Sequence, residues 1–141
     1  MRTNYDNQER HWIEDFYGRF IAEIYNETIP NNMLFRNLRA LIEDLFKEVC
    51  ANEARRFSDL HAMMYFVNDK YEFPTERYKQ LKGLKYFMNQ VAHKYDFTIS
   101  DRVMRAGVEV ACWVMERVSG VPPPDELVDI YRGHPVYQLR P

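Results

Sequence analysis

The sequence has little of what metal, redox and nucleotide motifs require. It contains two cysteines and five glycines, with no Cys-x-x-Cys pair and no glycine-rich phosphate loop. The histidines (His11, His61, His93 and His134) form no His-x-x-x-His or Glu-x-x-His pair. Zinc sites usually draw on such pairs. We therefore expect no built-in metal site and no cofactor.

Long apolar runs and strand patterns are also missing. No run approaches the roughly 20 residues of a membrane span, and the first residues, MRTNYDNQERHW, lack the apolar segment of a signal peptide. No apolar–polar alternation is long enough to favour a strand. Cys50 and Cys112 fall inside predicted helices, which is typical of free buried thiols in a reducing compartment. We expect a cytoplasmic protein with no membrane association.

What the chain does contain is an apolar and aromatic composition suited to one globular domain. Of its 141 residues, 46% are hydrophobic and 28% are charged, and there are ten tyrosines and nine phenylalanines. That length is sufficient for a self-supporting core. The net charge of −2 argues against a protein that coats nucleic acid, although it is compatible with a local basic patch.

Apolar spacing predicts an all-α, up-and-down bundle of about five helices, spanning 6–27, 33–50, 58–69, 76–95 and 101–119. A bundle domain of residues 1–120 is followed by a proline-rich extension, 121–141, with a short helix at 125–131. The predicted helix caps are Asn31 or Asn32, Ser58, Thr75, Ser100 and the terminating Gly120. Gly107 and Ala111, four residues apart in the fifth helix, would allow a neighbouring helix to approach closely.

The segment 76–95, ERYKQLKGLKYFMNQVAHKY, predicts a helix with two unlike faces. At about 100° per residue, one face carries an apolar stripe composed of Leu81, Leu84, Phe87, Met88, Val91 and Tyr95. The opposite face carries Lys82, Lys85, Tyr86, Asn89 and His93. Basic residues concentrate in this segment, where Glu76 is the single acidic counterpart among Arg77, Lys79, Lys82, Lys85 and Lys94.

His93 is the candidate chemical group of this helix. It lies near the C-terminal end, where the helix dipole favours an imidazolium. Asn89 precedes it by one turn, and Lys85 and Lys82 lie further back. An acid/base group beside cations that hold a phosphodiester suits metal-independent RNA cleavage. The alternative interpretation is a polar residue at a helix end, beside lysines that form an ordinary solvated face.

The run from Leu84 to His93, LKYFMNQVAH, followed by Thr98-Ile99-Ser100-Asp101 and an apolar helix, resembles the signature of HEPN-like domains. It is most similar to the accessory helical domains of restriction and helicase polypeptides. The run Leu38 to Glu43, LRALIE, resembles an early helix of that subgroup, and the resemblance covers residues 34–118. It implies an all-α bundle, roles for Asn89 and His93, and a basic subgroup position at Lys85. The arginine of the ribonuclease motif is replaced by Met88, which favours binding over cleavage.

The resemblance implies a non-catalytic accessory or interaction domain of a bacterial defence, restriction or helicase system. It would bind RNA, DNA or a protein partner, such as a helicase, a nuclease or a nucleotidyltransferase. The binding residues would be Lys82, Lys85, Tyr86 and Lys94. One alternative is a metal-independent endoribonuclease, with His93 as acid/base, Asn89 beside it and Lys85 holding phosphate. Another is a structural helical subunit with no nucleic-acid role. A homodimer is also predicted, in which the acidic face of the first helix meets the basic face of a second copy.

Overall fold

The computed structural model describes residues 8–57, 59–94 and 96–132, and these form six α-helices without a strand. The helices are α1 (Gln8–Tyr25), α2 (Asn31–Asn52), α3 (Leu60–Tyr71), α4 (Thr75–His93), α5 (Asp101–Ser119) and α6 (Asp125–Tyr131). The all-α prediction is confirmed, and the sixth helix corresponds to the short helix predicted at 125–131. Within the described ranges, no helix has the length and apolarity needed to cross a membrane.

Helices α2 and α5 form the centre of the bundle. Helix α2 packs against α3, α4 and α5, and α5 also contacts α1 and α6. Phe35 and Phe46 of α2 are fully buried, as are Val108 and Val114 of α5. Buried residues recur along the whole length of α5, so this helix is central. It is not apolar all round, because Asp101, Arg102, Glu116 and Arg117 are exposed on one side. The two faces of α4 are therefore oriented by its packing on both central helices.

Gly107 lies where α2, α4 and α5 come together. A β-carbon at this position would lie 2.6 Å from Cζ of Phe35 and 3.3 Å from Cδ1 of Leu84. The first of these distances is well below van der Waals contact. The predicted close approach at Gly107 is therefore confirmed, and the absence of a side chain is what permits it.

Both cysteines are free and buried, as predicted. Burial raises the pKa of the Cys50 thiol. For Cys112, burial and the neighbouring Glu109 carboxylate raise the pKa to about 12. Because the thiolate is the reactive form of cysteine, both side chains serve as small apolar core residues.

Residues after position 120 share the core of the bundle. Val121, Leu127 and Ile130 are buried in the same apolar cluster as the preceding helices. The buried Tyr17 hydroxyl of α1 donates a hydrogen bond to the Val121 carbonyl at 3.1 Å. Helix α6 thus closes one side of the bundle against α1 and α5.

The helix caps agree with the sequence prediction at α5 and differ at two other helices. Ser100 accepts a hydrogen bond from the Val103 amide, and Gly120 ends α5 with a left-handed backbone, φ 79°. By contrast, Pro30 and Pro74 occupy the N-cap positions of α2 and α4, without side-chain caps. The predictions of an Asn31 or Asn32 cap and of a Thr75 cap are therefore wrong, because these residues already lie inside the helices. The Ser58 prediction falls outside the described residues, and Asp59 caps α3.

The two asparagines instead hold the connection between α4 and α5. Asn32 donates to the Phe97 carbonyl at 2.5 Å and accepts from the Ile99 amide at 2.9 Å. Asn31 donates to the Ile99 carbonyl at 3.0 Å and to the Asp101 carboxylate at 2.8 Å. The start of α2 thereby fixes where α4 ends and α5 begins.

We expect Asn32→Ala to lower the free energy of unfolding by about 2 kcal/mol, because two backbone groups lose their partners next to a buried residue, Ile99. Urea unfolding followed by circular dichroism measures this change. The matched control is Asn26→Ala, which removes hydrogen bonds to the exposed Thr28 and should cost about 0.5 kcal/mol. Equal losses in the two variants would contradict the role assigned to Asn32.

Candidate functional site

Helix α4 has the two faces that its sequence predicts. Leu81, Leu84, Met88 and Val91 are buried, with Phe87 packed partly against the core. On the opposite side, Lys82 and His93 are exposed, and Lys85, Tyr86 and Asn89 are half-buried. Met88 is 1% exposed, so it is a packing residue, as the periodicity predicted. Tyr95, the last residue of the predicted stripe, lies outside the described part of the chain.

Arg77 belongs to the side of α4 that meets α5. Its guanidinium forms an ion pair with Glu109 at 2.9 Å and lies 5.2 Å from the centre of the Trp113 ring. These contacts hold the Arg77 guanidinium against α5. The positive charge available to a ligand on α4 therefore comes from its lysines.

Two arginines of α2 reach across to the C-terminal half of α4. A guanidinium nitrogen of Arg39 donates a hydrogen bond to the side-chain oxygen of Asn89. Arg36 donates to the backbone carbonyl of Val91 at 3.0 Å, in the last turn of α4. A cation at this end also complements the helix dipole. These contacts join two helices into one surface.

We call this surface the basic face. It comprises Arg36, Arg39, Lys82, Lys85, Tyr86, Asn89 and His93. Glu43 lies 3.8 Å from Arg39, and both side chains are about one-third exposed, so their attraction is weak in solvent. The cations of the basic face exceed this carboxylate, which leaves the surface with an excess of positive charge.

Aromatic rings contact one lysine and the tyrosine of the basic face. The Lys82 ammonium lies 5.2 Å from the centre of the Tyr78 ring, a favourable cation–π distance. Burial and the neighbouring Tyr65 raise the pKa of Tyr78, so its hydroxyl stays protonated. Tyr86 meets Phe87 edge to face, with ring centres 5.4 Å apart. These contacts limit the number of orientations that the side chains sample.

His93 and Lys94 lie at the end of α4. His93 is the last helical residue and is exposed, and Lys94 is the C-cap with an extended backbone. The Lys94 amide donates to the Gln90 carbonyl at 2.8 Å. The exposed Lys94 side chain adds positive charge beyond the last turn of α4, and its role in binding stays a prediction.

Sequence reasoning missed the contribution of α2. The helical spacing of Arg36 and Arg39 indicates only that both lie on the polar side of α2. The periodicity of one helix does not indicate which other helix it packs against, nor at which residues the two helices cross. A usable signal was the pairing of two arginines three residues apart, a spacing that places both on one side of a helix.

The described residues contain no group of three or more histidine, cysteine, aspartate or glutamate side chains placed to hold a metal ion. His61 is exposed on α3, on a different helix from His93. The chemistry that the basic face can offer therefore rests on its own cations, its amide and its imidazole. Cations of this kind can bind phosphate, and the imidazole can transfer a proton.

No protein-family model matches the chain, and neither a curated protein nor a solved structure matches it.

Proposed function

We propose that the chain is a HEPN-like accessory domain that binds the phosphate backbone of a nucleic acid through the basic face without cleaving it. The observation that carries this proposal is the attachment of Arg36 and Arg39 to α4. It adds two guanidinium groups to the surface that already carries Lys82 and Lys85. The cations are thus contributed by two helices and directed to one side of the bundle.

Pre-positioned arginines lower the entropic cost of binding, because less side-chain freedom remains to be lost. A guanidinium has five N–H donors, and the contact with Asn89 or with the Val91 carbonyl uses only part of them. The remaining donors suit phosphate oxygens, which arginine binds with a planar fork. Lysines add point charges that displace counterions from the nucleic acid.

Binding without cleavage is favoured by the burial of Met88. In the ribonuclease motif that the sequence resembles, this position carries an arginine. Here the side chain is 1% exposed and lies among apolar residues, so it contributes nothing to the surface. A domain of this type would act in a bacterial defence, restriction or helicase system beside a helicase, nuclease or nucleotidyltransferase, or as a homodimer.

Photo-crosslinking tests the proposal at the level of the surface. The wild-type chain is irradiated with 4-thiouridine RNA and, separately, with a 4-thiothymidine DNA strand, and the crosslinked peptides are identified by mass spectrometry. We expect crosslinks in the peptides that contain residues 36–39 and 82–93. Crosslinks confined to α1 or α6 would contradict the proposal. A complete absence of complexes would favour a structural helical subunit with no nucleic-acid role.

A second candidate function is a metal-independent endoribonuclease, favoured by the contact of Arg39 with Asn89. This contact places a guanidinium from α2 beside the motif asparagine, one turn before His93. In such an enzyme His93 would transfer the proton, and Lys85 and Arg39 would hold the scissile phosphate.

His93→Ala separates the two functions. For the binding domain, we expect wild-type protein in EDTA to leave labelled RNA intact, and the variant to bind RNA about twofold to fivefold more weakly, since one polar contact is lost. Gel electrophoresis and fluorescence anisotropy measure the two properties. Cleavage by the wild type that disappears in His93→Ala would establish the endoribonuclease instead. His61→Ala, a change at an exposed histidine of α3, is the matched control.

A further inference from the structure

A groove opens at one end of the bundle, where the end of α1, the first turns of α2 and α5, and α6 meet. Its volume is about 590 Å³, within the size range of protein binding pockets. We call it the acidic groove and define it by Ile24, Glu27, Ile29, Met104, Asp129 and Ile130. None of these residues belongs to the basic face.

The floor of the acidic groove is apolar. Met104 and Ile130 are buried side chains of the core cluster, and Ile24 and Ile29 are half-buried and packed against it. Tyr25, a large apolar side chain that is 62% exposed, also lines the groove. Exposed apolar surface next to an apolar floor is typical of a docking site.

The rim of the acidic groove has an excess of negative charge. Glu27, Asp101 and Asp129 line it, and Arg105 is the cation among the lining residues. Arg105 donates to the Ile130 carbonyl at 2.8 Å. Asp101 accepts from the neutral Asn31 amide, which leaves its charge in place. Asp129 pairs with Arg132 at 3.2 Å, which offsets its charge, so the negative excess of the rim comes from Glu27 and Asp101 against Arg105.

We propose that the acidic groove binds an amphipathic segment of a partner protein, with apolar side chains on one face and lysine or arginine beside them. Apolar side chains of such a helix dock into a groove at spacings of three and four residues. The cationic residues would meet Glu27, Asp101 and Asp129, and complementary charge of this kind selects the partner and speeds its association. The acidic groove carries a negative charge and the basic face carries a positive charge, so the two surfaces attract different ligands.

The test uses the full chain and a fluorescein-labelled peptide about 14 residues long, with leucine at helical spacing and lysine and alanine elsewhere. Two further peptides replace every lysine with glutamate or every leucine with serine. Fluorescence anisotropy is expected to show saturable 1:1 binding of the leucine–lysine peptide. Each replacement peptide should bind at least about tenfold more weakly, because one loses charge complementarity and the other loses apolar contact.

Paired charge reversals locate the binding site. Glu27→Lys/Asp129→Lys should weaken binding of the leucine–lysine peptide by about tenfold. The matched control, Glu14→Lys/Asp15→Lys, makes the same charge change at exposed residues of α1 away from the groove and should change binding by less than about threefold. Ile29→Ser removes apolar contact at the floor and should also weaken binding. Circular dichroism melting verifies that each variant is folded.

Three results would overturn the proposal. Equal weakening by the two charge reversals would mean that the peptide responds only to the overall charge of the chain. Equal affinity for the leucine and serine peptides would mean that the apolar floor takes no part. Absence of binding by the leucine–lysine peptide would show that the groove does not accept this chemistry.

Discussion

Lys82→Glu/Lys85→Glu should weaken the binding of RNA or single-stranded DNA by about 100-fold at low salt. Each lost contact between a lysine and a phosphate is worth on the order of 1 kcal/mol in water, and reversal replaces attraction with repulsion. Both lysines lie on the outer side of α4, where Lys82 is exposed and Lys85 is half-buried. The fold should be preserved, since neither side chain belongs to the core cluster. Fluorescence anisotropy with a labelled oligonucleotide measures the change.

The matched control for this variant is Arg19→Glu/Arg56→Glu. It makes the same change in net charge at exposed residues of α1 and of the connection before α3, outside the basic face. We expect the control to weaken binding by less than about fivefold, because separated exposed charges are screened by salt. If both variants weakened binding equally, the nucleic acid would be responding to net charge, and the assignment of the basic face would be wrong.

Gly107→Ala should lower the free energy of unfolding by about 2 kcal/mol. The new β-carbon would lie 2.6 Å from Cζ of Phe35, and the Phe35 ring is fully buried, so it has no solvent-facing space to move into. Forcing atoms into a packed core typically costs about 1–3 kcal/mol. That cost exceeds the gain of about 1 kcal/mol that alanine brings to a helix interior.

Gly18→Ala is the matched control for this prediction. Gly18 also lies inside a helix, but a β-carbon there would have no atom within 4 Å. Alanine should therefore stabilise the protein by about 0.5–1 kcal/mol. Urea unfolding followed by circular dichroism measures both variants. Stabilisation by Gly107→Ala would contradict the close packing of α2, α4 and α5. Adding Phe35→Leu to Gly107→Ala should recover part of the lost stability if the ring is the cause of the strain.

Helical periodicity was sufficient to predict which residues of a helix are buried in the core and which are exposed to solvent. The stripe of Leu81, Leu84, Met88 and Val91 is buried as predicted, and α5 begins and ends at the predicted residues, Asp101 and Ser119. These features follow from local spacing and from short-range capping. The same kind of reasoning placed Lys82 and His93 on the exposed side of α4.

Polar contacts between helices could not be predicted in this way. Asn31 and Asn32 looked like caps of α2, yet their amides bind the connection between α4 and α5, which is 65 to 70 residues away in sequence. The spacing of α2 indicates no contact between Arg39 and α4, yet Arg39 donates a hydrogen bond to Asn89. The packing of two helices determines how they cross, and the crossing determines which polar side chains of one helix reach the other. Long-range polar contacts of this kind therefore complete the candidate site.

The two proposed surfaces would give the domain distinct roles. The basic face would hold phosphate, and the acidic groove would hold a cationic, apolar segment of a partner protein. A nucleic acid is repelled by the carboxylates of the groove, and a cationic peptide is repelled by the arginines and lysines of the basic face. The two proposals therefore assign the two ligands to different surfaces of the chain.

The most direct measurement is the salt dependence of single-stranded RNA binding by the wild-type chain in EDTA, followed by fluorescence anisotropy between about 25 and 200 mM KCl. Release of counterions from about three or four phosphates should give a slope of roughly −2 to −3 for the logarithm of the association constant against the logarithm of salt concentration. The RNA should remain intact throughout. Absence of binding at the lowest salt concentration, affinity that does not change with salt, or cleavage of the RNA would contradict a basic face that binds nucleic acid without cutting it.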